Sequence, residues 1–440
     1  MGQRPFGAGH ATDFHGYGSG AEGVRRMVKG IGSPDRSLRE EDVRSLLEEG
    51  TPPRLFERKR VLVLTPDATR TCPLPLMIHS VSDVIGDRAS KLDFMVALGT
   101  HTPLVHKDIL KLYGIDGRQK KLDRTQFFNH QWGRPDSLAQ IGTFTQEEIE
   151  DLSEGRLKEK VPIVINKRIF DYDLILILGP VFPHEVVGYS GGAKYLFPGI
   201  SGGDFLHFFH WLGAVITCKK IIGIKDTPVR RAIDKAMEKV PVPIHCLAMV
   251  VNQNSSLCGL YVGDVREAWS KAADLSSQVH VKTKKKPFRV VLGSAPEMYD
   301  ELWTAGKVMY KLEQVVADQG TLIIYGPQIR DVSRTWGKDI ERIGYHIRGY
   351  FLAQMDRFRD IPRGVLAHST HVRGTGTYEN GVERPDVNVV LATSIPKETC
   401  DRINLGYMDP SKIRLSDYMG REEEGILFVD HAGEILYRLR

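Results

Sequence analysis

The chain alternates between short runs that are almost wholly apolar and longer stretches in which apolar residues recur every three or four positions. "RVLVLT" (Arg60–Thr65), "LDFMVAL" (Leu92–Leu98) and "LILILGP" (Leu174–Pro180) show no alternation of inward and outward residues. Strands of that kind are buried on both faces, as in a parallel sheet covered by helices. Helical periodicity fills the gaps, over Pro73–Val84 and Val265–Val279, and "IHCLAMVVNQ" and "CGLYVGD" add two more strands. The pattern restarts at "FRVVLGSAP" and continues through a helix to "GTLIIYGP", "NVVLATS" and "GILFVDHAGEILYRLR". A length of 440 residues exceeds one ordinary core. The expectation is an α/β protein of two domains, each with a mainly parallel sheet.

Residues 1–55 read as a partly irregular N-terminal extension in which only "LREEDVRSLLEEG" is helical. Residues 56–275 read as the N-terminal α/β domain and 288–440 as the C-terminal one, its last strand free to pack back on the first. Between them, 276–287 reads as a linker. Its basic run "HVKTKKKPF" has the composition of a solvated connector, with a nucleic-acid patch as the lesser alternative.

Composition narrows the class. Apolar residues make up 41% and charged residues 26%, as in ordinary globular proteins. A formal charge of +5 is too small at this length to argue for nucleic-acid binding. No apolar run approaches a membrane span, and the start has no signal-peptide core. The five cysteines (72, 218, 246, 258 and 400) form no paired spacing. A cytoplasmic protein with reduced thiols is expected.

Polar residues gather where the first-half strands end. "TPDATR" carries Asp67, Thr69 and Arg70, "GTH" carries His101, and "PHEVVGYSGGAK" carries His184 and Lys194. Ligands of open α/β sheets bind beyond the carboxyl ends of the strands. Taken singly, each residue has a bland reading: loop histidines with ordinary hydrogen bonds, and an Arg70–Asp67 pair. The "GYSGGAK" stretch has the small residues and cation of an anion cradle but not the P-loop spacing. "SGGDFLHFFHW" puts His207 and His210 three apart, on one face if helical, as metal ligands or as packed rim histidines.

Together these residues resemble the nickel-dependent lactate racemase family, whose members carry a nickel-pincer nucleotide. The resemblance runs from about Arg60 to Lys307 and rests on "DATRTCP", "ALGTH", "NHQW" around His130, and "VPIVINKRIFDYDLILILGPVFPHEVVGYSGGAKYLFPGISG". It implies that Lys194 tethers the cofactor as a thioamide and that His210 ligates nickel, with His207 as the fallback. It makes 56–275 the cofactor-binding domain, with the active site in the interdomain cleft. The nucleotide is then held by Asp67 and Thr69, and its phosphate by backbone groups of Ser190, Gly191 and Gly192. His101 and His184 become the two bases, one for each enantiomer, since imidazole takes and returns a proton near neutrality. The family's reaction removes the hydrogen at C2 of a 2-hydroxy acid as hydride and returns it to the other face. Arg70 and Lys307 are the implied grips on the substrate carboxylate. Cofactor-making enzymes are implied as partners.

The chain also departs from the lactate enzymes. Trp303 and Thr304 stand where a Tyr-Gln pair precedes the substrate lysine, and "TPL" follows "GTH" without the expected arginine. A racemase or epimerase of a 2-hydroxy acid other than lactate is therefore expected. The rivals are a nicotinamide-type dehydrogenase, which lacks its G-x-G-x-x-G turn here, and a binder or other redox or lyase protein keeping the same nucleotide site. The C-terminal "HSTHVRGTGTYENGVERPD" (368–386), with His368, His371 and Arg373, reads as a polar loop that either closes over the cleft or has no substrate role.

Overall fold

The computed structural model describes residues 28–68, 72–117 and 122–440. Two sheets organise them, and both are mainly parallel, in a mixed α/β architecture. The first has seven strands in the order Lys29–Gly32, Leu257–Gly263, Ile244–Val251, Leu174–Pro180, Arg60–Thr65, Lys91–Val96 and Phe127–Asn129. The last five run parallel. The first two are antiparallel additions at one edge. The second sheet is wholly parallel, in the order Gly406–Tyr407, Val387–Thr393, Val316–Gly326, Phe288–Ser294 and Ile426–Val429.

The continuous apolar runs form the central strands for the expected reason. Every residue of Leu174–Pro180 is buried. One face of the first sheet packs under the helices Glu40–Gly50 and Leu74–Ile85. In Glu40–Gly50 the buried residues Val43, Leu46, Leu47 and Gly50 fall at helical spacing. Glu40, Glu41 and Asp42 occupy its first turn, where negative charge suits the helix dipole. The other face looks into a core that runs without a break into the second sheet. Each aliphatic side chain fully buried there contributes roughly 1.5–3 kcal/mol.

Three stretches differ from the sequence reading. Within 1–55, the described part joins the fold: Lys29–Gly32 extends the sheet edge and Glu40–Gly50 covers a face. The connector 276–287 is ordered structure. Its helix runs to His280, and Val281–Lys284 then pairs in parallel with Leu436–Leu439, the last strand of the chain. Two lysines of the basic run pair with acids of the same chain, Lys284 at 2.7 Å from Glu422 and Lys286 at 3.0 Å from Glu423. The 368–386 stretch is the end of the helix Arg363–Arg373 followed by the hairpin Gly376–Glu379/Val382–Pro385. Its His368 and His371 are buried within the fold instead of closing over a cleft.

Candidate functional site

Asp67, His101 and His184 lie just past the ends of three neighbouring parallel strands, so they emerge from the same edge of the sheet. His101 Nδ1 lies 2.5 Å from Asp67 Oδ2. The carboxylate accepts a hydrogen bond from Nδ1–H, which leaves the lone pair on Nε2. Asp67 is thereby the partner of His101. Thr69 and Arg70, which the sequence placed beside it, lie outside the described residues. The His101 side chain is 56% exposed, and its loop is held by the Trp132 indole, which donates to the His101 carbonyl.

His184 is buried at the start of the glycine-rich stretch. Its Nδ1 meets two groups of opposite kind. The Val186 N–H donates to it at 3.1 Å, and Glu185 Oε2 lies 3.4 Å away. Burial pushes the Glu185 carboxyl up, but His184, Glu185's own backbone N–H, His371 and Lys311 more than offset this, and the net shift is downward. Glu185 is therefore a carboxylate at neutral pH. The turn after it needs glycine: Gly188 has φ +84°, and a Cβ there would stand 1.8 Å from the Ile224 carbonyl oxygen.

The loop that follows is clamped from below. The Arg230 guanidinium lies 4.0 Å from the centre of the Trp269 ring and donates to the Tyr189 carbonyl, while the Trp269 indole donates to the Ser190 carbonyl. Ser190 itself is committed. Its N–H goes to the Phe182 carbonyl, and its hydroxyl accepts from the Phe182 N–H and donates to the Pro180 carbonyl. An anion at this loop thus has Gly191 and Gly192 to contact, and the expected backbone contact from Ser190 is spent on holding the turn. His130 pins the far end, donating through Nε2 to the Ser201 carbonyl while its Nδ1 accepts from Asn166.

Lys194 sits in the short turn Gly192–Tyr195, and His210 on the helix Gly203–Ile216. The two are close enough for the Lys194 charge to act on His210. His210 Nδ1 donates to the Leu206 carbonyl at 2.8 Å, so the lone pair is on Nε2. Burial pushes His210 down to about 4, the Leu206 carbonyl opposes this, and Lys194 assists. It is a neutral imidazole of the kind that binds metals. His207 points elsewhere. Its ring lies edge-on to Trp336, and its Nδ1 is 2.8 Å from where a Cβ on Gly364 would be. Among the described residues no three His, Cys, Asp or Glu side chains form a metal cage.

The C-terminal half supplies the other wall. One cavity is lined by His184, Glu185 and Ser190 from the first half and by Tyr299, Lys307 and Lys311 from the second. Lys307 lies over the Tyr299 ring at 4.9 Å. Trp303 stacks face to face on His368, with 3.9 Å between ring centres and 3° between planes, and its carbonyl faces His368 Nε2 at 3.0 Å. Thr304 is half-buried in the same short helix, Leu302–Ala305. Sequence reasoning missed Glu185 and Lys311. Their signals were adjacency to His184 and a spacing of four from Lys307, which puts both lysines on one helical face.

Comparison with known proteins places this arrangement. Residues 40–221 match the family model described as the lactate racemase N-terminal domain. The lactate racemase of Thermoanaerobacterium thermosaccharolyticum is 23% identical over 273 residues, 61% of this chain and 59% of that protein. The lactate racemase of Lactiplantibacillus plantarum is 20% identical over the same length, 61% and 60% of the two chains. Residues 40–221 thus form an N-terminal domain of the lactate racemase kind. The matched stretch spans about three fifths of each of those two lactate racemases. Solved structures extend the likeness over nearly the whole chain. A Thermotoga maritima protein is 34% identical with a TM-score of 0.82, covering 93% of this chain and 100% of that one. The lactate racemase apoprotein of T. thermosaccharolyticum shares the fold at 18% identity, with a TM-score of 0.69 over 94% of this chain and 95% of that one. In this relative of the lactate racemases the Trp303–His368 stack is not among the residues that line the cavity with Lys307.

Proposed function

We propose that the protein is a racemase or epimerase of a 2-hydroxy acid other than lactate, with His101 and His184 as its two proton carriers. The observation that carries this reading is the pair of histidines at one sheet edge, each with a carboxylate facing Nδ1, one of them sharing a cavity with Lys307. A binding module needs no such pair.

The residues also fit a nickel-pincer nucleotide. His210 presents a neutral imidazole with its lone pair on Nε2, and Lys194 stands beside it. With no protein cage among the described residues, a metal there needs its remaining donors from the cofactor. Soft sulfur donors with one imidazole suit nickel. Lys194 would hold the nucleotide covalently, His210 its metal, and Gly191 and Gly192 its phosphate. When bound, the nucleotide supplies the group that takes up and returns the hydrogen at C2 with its electron pair.

The chain's own residues do the rest. His101, with Nδ1 tied to Asp67, accepts the hydroxyl proton at Nε2, and His184 does the same for the other enantiomer. Lys307 binds the carboxylate, and Arg70 is its proposed companion. The cavity between the two halves keeps the flattened carbon in place while the proton is exchanged. The preference away from lactate rests on the sequence, in which Trp303 and Thr304 replace the Tyr-Gln pair expected ahead of Lys307.

The test is the protein co-expressed with cofactor-making enzymes, purified anaerobically and assayed over a panel of 2-hydroxy acids. The expected result is a mononucleotide-sized mass increase lost in Lys194→Ala, and inversion of a larger acid faster than lactate. Fastest turnover on lactate would refute the specificity, and a fully loaded protein that inverts no 2-hydroxy acid would refute the activity.

A further inference from the structure

His184 has a neighbour that the proposed reaction does not use. Its Nδ1 is contested between the Val186 N–H at 3.1 Å and the Glu185 carboxylate at 3.4 Å. The two favour different forms of the ring. The Val186 N–H needs a lone pair on Nδ1 and so puts the proton on Nε2, where it blocks acceptance. The carboxylate favours a proton on Nδ1, which is present both in the imidazolium and in the neutral form with an open Nε2. Only these last two forms can give and take a proton at Nε2.

The same segment is reached from across the molecule. Lys311, on the helix Lys307–Leu312, is buried and donates through Nζ to the carbonyl of Pro183, the residue before His184, at 2.5 Å. Its charge is one of those that keep Glu185 ionised. The same helix begins with Lys307, and both lysines line the cavity that holds His184 and Glu185. Seating this one helix therefore places the carboxylate grip and the support of His184 together.

We propose that Glu185 is the positioning carboxylate of His184, and that Lys311 from the C-terminal half opposes and anchors it, so that the proton on His184 reports how the two halves are seated. Glu185 serves His184 as Asp67 serves His101, but across a longer gap and against a competitor. The other titratable groups facing this cavity are Tyr299, Lys307, His280 at the end of Val265–His280, and Glu434 before the last strand. His371 also acts on Glu185 from the helix Arg363–Arg373. This rests on the proposed role of His184 for its meaning, but not for its test.

The test is histidine-selective NMR titration of the full chain, with and without cofactor, the His184 signal being assigned by its loss in His184→Gln. A nearby carboxylate raises an imidazole pKa and a nearby ammonium lowers it. Glu185→Gln should move the His184 midpoint down by about 1 pH unit and Lys311→Met should move it up by about the same. The double variant should return close to wild type, and Lys311→Arg should leave the midpoint in place. Absent shifts, or shifts of the same sign in the two single variants, would overturn the proposal. If Lys311→Met does not fold, the near-isosteric Glu185→Gln decides alone. The signal needs no turnover, so a protein inactive on every hydroxy acid can still show the shift, and an active racemase can still lack it.

Discussion

His101 and His184 emerge from one sheet edge but live in different media. His101 is more than half exposed and takes a single, short contact from Asp67. His184 is buried, its Nδ1 is shared between a backbone N–H and a carboxylate, and a lysine from the other half donates to the carbonyl of the residue before it. The first is fixed by local chain geometry, since Asp67 and His101 follow adjacent strands in register. The second has both Nδ1 partners on its own loop, and the other half reaches that loop through the Lys311–Pro183 contact. In the proposed reaction one type of side chain thus serves one chemical task in two settings, one built within the first half and one that the second half also touches.

The comparison breaks first at Asp67. Asp67→Asn replaces the acceptor-only carboxylate with an amide that can donate to Nδ1 and favour the wrong His101 tautomer, and kcat should fall by roughly 100-fold or more. Glu185→Gln should cost less, about 10-fold, because the longer contact leaves the tautomers of His184 closer in energy. Steady-state rates on the loaded variants check both, and a larger loss in Glu185→Gln would reverse the ranking of the two supports.

A stability difference sharpens the contrast between buried and exposed histidines. Burial pushes His130, His280 and His371 down to about 4 and His368 to about 3. In the unfolded chain they titrate near about 6.5. Between those values the unfolded state binds protons that the folded state does not, so stability rises with pH in that window and levels off above it. Each of the three at about 4 accounts for at most about 3.4 kcal/mol, and His368 for at most about 5 kcal/mol. Urea melts should give the same midpoint at pH 7 and 8 and a steep fall from pH 6.5 towards 4.5, and His371→Phe should flatten the fall. A midpoint constant down to pH 5 would show that these histidines already find proton partners inside the fold.

Much of this was legible in the chain. Uninterrupted apolar runs marked the central strands, and polar residues at their ends marked Asp67, His101 and His184. The glycine stretch marked Lys194, because so many small residues in one segment exceed what a turn requires. What escaped was the work of distant partners. Val281–Lys284 read as a connector because its pairing strand lies at the far end of the chain. His368 and His371 read as loop residues because a helix with buried polar residues has the pattern of an exposed one. Glu185 was passed over since a carboxylate in a loop is ordinarily solvated, and only Lys311 and the burial around it make it special.

The central claim is that two histidines share one reaction, each acting on one enantiomer. The direct measurement follows single-turnover loss of the C2 hydrogen from each enantiomer of the preferred acid, using loaded His101→Gln and His184→Gln proteins side by side. The account predicts that each variant still reacts with one enantiomer and fails with the other, and that the two failures are opposite. Equal loss of both enantiomers in one variant, with full activity retained in the other, would contradict it.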